Sequence, residues 1–473
     1  MSRAPVVHTI VTAIRIVAVL MYSLVMVCAP VGSAAAESSA ARFAGSAWTR
    51  GVRDASAGLP GRWERELARR RALARAHPGR DPAAVLALAG LLGELDDDVR
   101  ADALVGFVES IASDRSRHSL VRAYARYLRA SLYESAGDVN AAKQVFSRDG
   151  QLISWLVIGP FDNAERKGDG IAYAPEREAF APHQQFFGTV AGEPLEWRAH
   201  VYGSATRGGF VSLDNLLRPN DHVLGYATTW VHIDHDQMAV LHLGTGGAYK
   251  AWINGELVGS QNSYRQPHPL QEAHSIRLRR GWNRVLIKIS VEEGTWGFYA
   301  RISDPRGDAI AQLRGSGDPP SDAEAWAWGA PTTAASIAGA ASSLRSVLEQ
   351  RAARANARVT HELDLLEFYR WTHPFGPDEQ QASDQARSVS VAHKSARSAW
   401  LWYLLERDEA QTRNALMVGI ARARSEGKSA STLLARMLLE LSRRERALGL
   451  ELRGRMLLDE AQRIAPDDVI VEL

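Results

Sequence analysis

The chain has 473 residues, enough for two to four domains with cores of their own. Its 46% hydrophobic and 23% charged content excludes a disordered chain. The 56 Lys and Arg nearly cancel the 54 Asp and Glu, and no basic run stands free of interleaved acids. The electrostatic footprint of a nucleic-acid-binding protein is therefore missing.

The N-terminus reads as an export signal over residues 1–36. Arg3 and Arg15 precede the apolar run 16–27, Pro30 closes it, and Ala34-Ala35-Ala36 offers small residues for cleavage before Glu37. The apolar core is short for a membrane span, with an uncleaved anchor as the alternative. Val27 sits where a small residue should precede a lipidated cysteine, which disfavours lipid attachment at Cys28. Cys28 is the one cysteine, so the exported part would have no disulfide, thiolate zinc site or cysteine nucleophile.

From 37 to 150 the pattern is helical. Apolar residues at three- and four-residue spacing predict helices over 63–76 and 82–95, broken by Pro78-Gly79 and Asp96-Asp97-Asp98, then over 103–111 and 120–136. Tyr133-Glu134-Ser135-Ala136-Gly137-Asp138, with Ala142 and Phe146 beyond, reads as the turn of a helical hairpin.

Near Leu152 the period changes to two. Trp155 to Asn163 reads as a strand ended by Gly159-Pro160, followed by a loop rich in Gly, Pro and charge to about Glu193. Further strands are expected at 195–201, 210–213, 223–233, 238–243, 249–253, 276–278, 285–289, 298–302 and 309–313, enough for two packed antiparallel sheets over 151–314. Tyr249, Ala251 and Ile253 share one face and Lys250 and Trp252 the other. Asn254-Gly255 then tolerates the φ > 0 that a type I′ hairpin requires. A linker over 315–333 carries Gly315, Gly317, Pro319-Pro320, Gly329 and Pro331, with Trp326 and Trp328 expected to pack on a neighbour. Helix returns over 334–473, at 342–354, 360–371, 380–392, 396–407, 409–425, 431–446 and 451–464.

Ala248 to Gly255, Val258 and Gly281-Trp282-Asn283-Arg284-Val285 resemble the galactose-binding-like jelly-roll domains, which implies a jelly-roll β-sandwich. Tyr133 to Asp138 and Glu460-Ala461-Gln462-Arg463-Ile464-Ala465-Pro466-Asp467-Asp468 resemble parts of tetratricopeptide repeats (TPR). Trp155 to Asn163 is similar to the opening strand of such a sandwich in exported bacterial TPR proteins, where it often precedes a transglutaminase-like domain. That catalytic domain is not seen here, because the exported part has no cysteine to serve as its nucleophile. The resemblance implies a sandwich flanked by TPR-like α-helical hairpins, and it identifies a fold better than a function.

Motifs for chemistry are weak. His232-Ile233-Asp234-His235-Asp236 would place three polar residues on one strand face, too far apart to converge on one ion, and reads better as a turn. His361-Glu362 lacks the second histidine of a zinc protease, since Leu365 stands there. Gly427-Lys428-Ser429 lacks the earlier glycine of a phosphate loop, and Gly244-Thr245-Gly246-Gly247 leads into a strand and reads as a turn. No Gly-x-Ser-x-Gly elbow is present, and Glu292-Glu293 sits in a loop. The chain is therefore expected to be no enzyme and to use no metal or cofactor.

Binding remains. The segment Ser260-Gln261-Asn262-Ser263-Tyr264-Arg265-Gln266 mixes an aromatic ring with hydrogen-bonding groups, and Trp296 enters from another loop. Tyr264, Arg265 and Trp296 are the candidate shallow carbohydrate-binding site. The expected partners are a glycan or cell-envelope polysaccharide at the sandwich and protein segments along the helices, with no nucleic acid. The alternative is the non-catalytic N-terminal part of an exported transglutaminase-like or peptidase protein.

Overall fold

The structure is a computed structural model that describes residues 81–92, 101–181, 185–187, 190, 192, 194–200, 202, 208–320, 343–354 and 357–466. The export signal, the helix expected over 63–76, Trp326 and Trp328, and Asp467-Asp468 lie outside these residues.

Helices before the sheets are α1 (Ala84–Leu92), α2 (Ala101–Ser113), α3 (Ser119–Ser135) and α4 (Val139–Arg148). Their ends fall where local groups satisfy the open backbone positions of a helix. His118 Nδ1 accepts from the Leu120 N–H at 3.2 Å to start α3. At its other end Gly137, at φ +83°, donates to the Glu134 carbonyl, and the Asp138 N–H donates to that of Tyr133, both at 2.8 Å. This is a Schellman stop, which favours glycine in the left-handed region. Asp138 then caps α4 by accepting from the Ala141 N–H at 3.0 Å.

The sheet region runs β1 (Trp155–Asp162), the short helix α5 (Ala174–Arg177), β2 (Phe186–Phe187), β3 (Pro194–Leu195), β4 (Arg198–His200), β5 (Val211–Ser212), β6 (Val223–Ile233), β7 (Gln237–Thr245), β8 (Tyr249–Ile253), β9 (Glu256–Gln261), β10 (Glu272–Leu278), β11 (Gly281–Ser290), β12 (Gly297–Ser303) and β13 (Arg314–Ser316). The fold is mixed α and β, with antiparallel sheets and no closed barrel. A seven-stranded sheet has the order β4-β1-β6-β11-β8-β9 with β13 also on β6, and a four-stranded sheet has the order β10-β7-β12-β5. Facing side chains from both, including Val157, Ala227, Tyr249, Ala251, Ile287, Leu241, Leu243, Phe298 and Ile302, form one buried core. Lys250 and Trp252 lie on the opposite face of β8, as period-two alternation requires.

Asn254 and Gly255, at φ +49° and +85°, join β8 to β9 with Ile253 paired to Glu256, the expected two-residue reversal. Three strand expectations are corrected. β1 does not stop at Gly159-Pro160; it runs on through a register shift between Ile158 and Phe161, where a bulge accommodates proline. β9 continues through Ser260 and Gln261, so the loop begins only at Asn262. Residues 309–313 are no strand: Ile310 and Leu313 pack against the core from a turn, and β13 follows instead.

After the sheets come α6 (Leu344–Ala352), α7 (Val359–Thr372), α8 (Pro377–Ala392), α9 (Ala396–Leu405), α10 (Glu409–Glu426), α11 (Ser431–Ala447) and α12 (Glu451–Ile464). Gly427 and Lys428 form the expected helix–helix turn. Helices that precede and follow the sheets in the chain share a core, in which Val85, Leu88, Phe107 and Tyr124 meet Leu344, Leu348, Leu365 and Phe368. Two further clusters carry the packing along α7–α10 and then α9–α12.

The outer face of the small sheet seats the N-terminal helices. Tyr299 of β12 meets Tyr127 of α3 edge-on at 5.9 Å. Arg301 donates through Nε to the Asp149 carboxylate at 2.9 Å and to the Asp149 carbonyl at 2.8 Å, while Arg126 of α3 bonds the same carboxylate. The chain then enters the sheets through the Leu152 N–H, which donates to the Ala300 carbonyl at 2.9 Å.

Glycines 244, 246 and 247 let neighbouring backbones approach: an added Cβ would lie 1.6 Å from the His268 carbonyl oxygen, 2.2 Å from that of Thr295 and 1.8 Å from that of Ser290. Gly247→Ala is therefore expected to destabilise the protein by about 3 kcal/mol. Gly106→Ala, in open space on α2, should instead add about 1 kcal/mol. Urea midpoints of the two variants check the pair; an equal response would refute the close approach.

Candidate functional site

Tyr264, Arg265 and Trp296 do not form the open platform expected of them: they are 4%, 3% and 0% exposed. Trp296 belongs to the core between the sheets, where its indole N–H donates to the Ile289 carbonyl at 3.1 Å. The Tyr264 hydroxyl pairs with Ser290 Oγ at 3.2 Å, and the Arg166 guanidinium lies 4.5 Å from the centre of its ring. The backbone around Tyr264 is engaged too. Its carbonyl accepts from the Phe375 N–H at 2.8 Å, and the Gln266 N–H donates to the Thr372 carbonyl at 2.6 Å. The loop after β9 is thus the seat of α7 and the turn into α8, so no ring face is left for a pyranose.

Arg265 lines a cleft. Its other walls are Ser263, Arg345 and Glu349 of α6, Phe368, Tyr369 and Thr372 of α7, Pro374, and Asp378 and Gln381 of α8. Arg265 Nη2 donates to Glu272 Oε1 at 2.7 Å, a buried pair. Arg345 Nε donates to Glu349 Oε1 at 2.8 Å, one helical turn away. Arg265 Nε and Arg345 Nη1 are buried and make no hydrogen bond, although Arg345 Nη1 lies 3.5 Å from Glu272 Oε1. Burial pushes the Tyr369 hydroxyl up to about 12, with the Glu349 charge acting in the same direction, so it stays a neutral donor. Arg345, Glu349 and Asp378 were not singled out from sequence. Their signal, a charged i,i+4 pair on a short helix, is shared by many solvated faces.

A second cluster lies on the outer face of the large sheet. Lys288 is fully buried and donates to the Ile171 carbonyl at 2.7 Å, Glu176 Oε1 at 2.8 Å and the Asp169 carbonyl at 3.2 Å. Burial pulls its pKa down, against the opposing pull of Glu176. All three ammonium protons have acceptors, so the lysine pins the 163–177 loop to the sheet and is not poised to react.

His232 and Ile233 end β6, and Asp234-His235-Asp236 turn into β7, with Asp236 Oδ1 accepting from the Arg280 N–H at 2.8 Å. Among the described residues no group of His, Cys, Asp and Glu is placed to hold a metal, and no helix is long and apolar enough to cross a membrane. No family model, curated protein or solved structure matches the chain.

The contact between sheets and helices contains histidines held neutral. His268 stacks on Trp371 of α7 at 4.4 Å, and burial pulls its pKa down to about 4. His242, paired with Ser303 Oγ at 2.9 Å, is pulled well below its ordinary range by burial and by the Arg301 charge. The unfolded chain takes up these protons near pH 6.5 and the folded chain resists them. Their contribution is therefore complete above about pH 6.5 and is lost as pH falls towards 4, at about 1.4 kcal/mol per pH unit for each group. His268→Gln is expected to flatten part of this acid limb in urea midpoints measured from pH 7 to pH 4; an unchanged slope would exclude His268 as a contributor.

Proposed function

We propose that the chain is an exported, non-catalytic scaffold. The paired sheets, read as a galactose-binding-like jelly roll, act as a mount, and the following helices, read as TPR-like pairs, dock segments of partner proteins. The observation that carries this reading is the use of the loop after β9. Its residues bond into α7 and the α7–α8 turn through Gln266–Thr372 and Tyr264–Phe375, where a lectin would keep them open. The shared core of α1–α3 with α6 and α7 makes the same support. Farther along, α12 buries Gly454 and Ala461 but leaves Leu452 and Met456 77% and 64% exposed, apolar area suited to a protein segment.

A photo-crosslinking residue placed at Met456 or at Gln261 tests the reading in cells that export the protein. Crosslinks from position 456 to one defined partner, displaced by excess unlabelled protein, are expected. Crosslinks from position 261 alone, or turnover in peptidase, transglutaminase or glycosidase assays, would overturn it.

A further inference from the structure

Gly454 and Ala461 are the buried residues of α12, and the Gly454 carbonyl accepts from Ser442 Oγ of α11 at 2.6 Å. The helical period sets the opposite face: Leu452, Met456, Asp459 and Arg463 recur at four-, three- and four-residue spacing, and all four are exposed. Leu448 and Leu450, in the turn that precedes α12, add apolar side chains that are 60% and 46% exposed. Contiguous apolar surface of this kind marks a contact with another molecule.

Charge decides what fits it. Three ionic groups of α12 are already engaged within the chain: Glu451 with Arg446, Arg453 with Glu445 and Glu460 with Arg424. Arg455 and Asp459 are exposed and take part in no ion pair among the described residues. They lie four residues apart on one flank of the Leu452–Met456 stripe. A strip with one free cation and one free anion at that spacing is its own complement. A two-fold axis at the level of Leu457 lays an antiparallel copy so that Arg455 of each chain meets Asp459 of the other. The same axis brings the two Met456 side chains together. A parallel copy would instead set Arg455 beside Arg455 and Asp459 beside Asp459, which repel. A wholly acidic or wholly basic segment would satisfy one of these groups and oppose the other.

We propose that the outer face of α12 is the contact between two copies of this chain, paired antiparallel about a two-fold axis. Leu452 and Met456 supply the apolar centre, and Arg455 and Asp459 fix the direction and register. The proposal rests on the reading of α12 as a docking face and names what docks there. One helix and one turn from each copy make a contact smaller than the roughly 800 Å² per partner of a standard interface, so the pair is weak and reversible, with a Kd of about 10–100 μM.

Sedimentation velocity of the full chain over about 1–300 μM tests it, and a reversible monomer–dimer equilibrium is expected within that range. Met456→Glu should abolish the dimer. Arg455→Asp and Asp459→Arg should each weaken it about tenfold, because symmetry makes each change replace two attractions with two repulsions. The double variant Arg455→Asp with Asp459→Arg should restore it. All three positions are exposed, so the melting temperature of the monomer is expected to stay unchanged in every variant. A chain that stays monomeric throughout the range overturns the proposal. If position 456 then crosslinks to a different protein, the docking reading of α12 stands and the second copy alone is excluded. A dimer that ignores the α12 substitutions lies elsewhere, and one that the double variant fails to restore is not paired in this register; either result also overturns the proposal.

Discussion

Asp149, at the end of α4, governs how the helices meet the sheets. Its buried carboxylate takes Arg301 from β12 and Arg126 from α3, and its carbonyl takes a further bond from Arg301. Removing one partner of such a buried pair typically costs about 3–5 kcal/mol, because a charge is then stranded away from water. The strength of the arrangement is geometric as well: one residue sets the direction of α3, the exit of α4 and the entry of the chain into the sheets. Tyr127 and Tyr299 then close together beside it, and burial pushes both hydroxyls up, leaving them neutral.

A second contact repeats this logic towards the β10 edge of the small sheet, joined to the first through Trp371 and Tyr124. There the loop after β9 carries Tyr264 and Arg265 beneath α6 and α7, and His268 stacks on Trp371. Arg265 pairs with Glu272 at the start of β10 and lines a cleft walled by the helices. The candidate site is therefore a product of the junction: neither the sheets nor the helices alone would bring Arg265 and Arg345 together. A loop composition typical of sugar recognition here serves packing, since Tyr and Arg have apolar bodies that bury well once their polar tips find partners.

Much of the fold was legible because its signals are local. The Asn254-Gly255 reversal depends on the φ that those two residues tolerate, the stop at Gly137-Asp138 on one left-handed glycine and one capping carboxylate, and the face assignment along β8 on alternation within five residues. Departures came where a signal had two readings. Pro160 suggests a strand end, but a bulge admits it; Leu313 suggests a strand, but packs equally well from a turn.

Sequence alone thus determined the division into helical and sheet regions, and which side chains along β8 share a face, since both follow from backbone preference and periodicity over neighbouring residues. Tertiary structure alone decided that Tyr264, Arg265 and Trp296 are covered, and that Arg345, Glu349 and Asp378 join Arg265 around one cleft. Burial and apposition depend on elements far apart in the chain, and no local pattern states what will pack on a given loop.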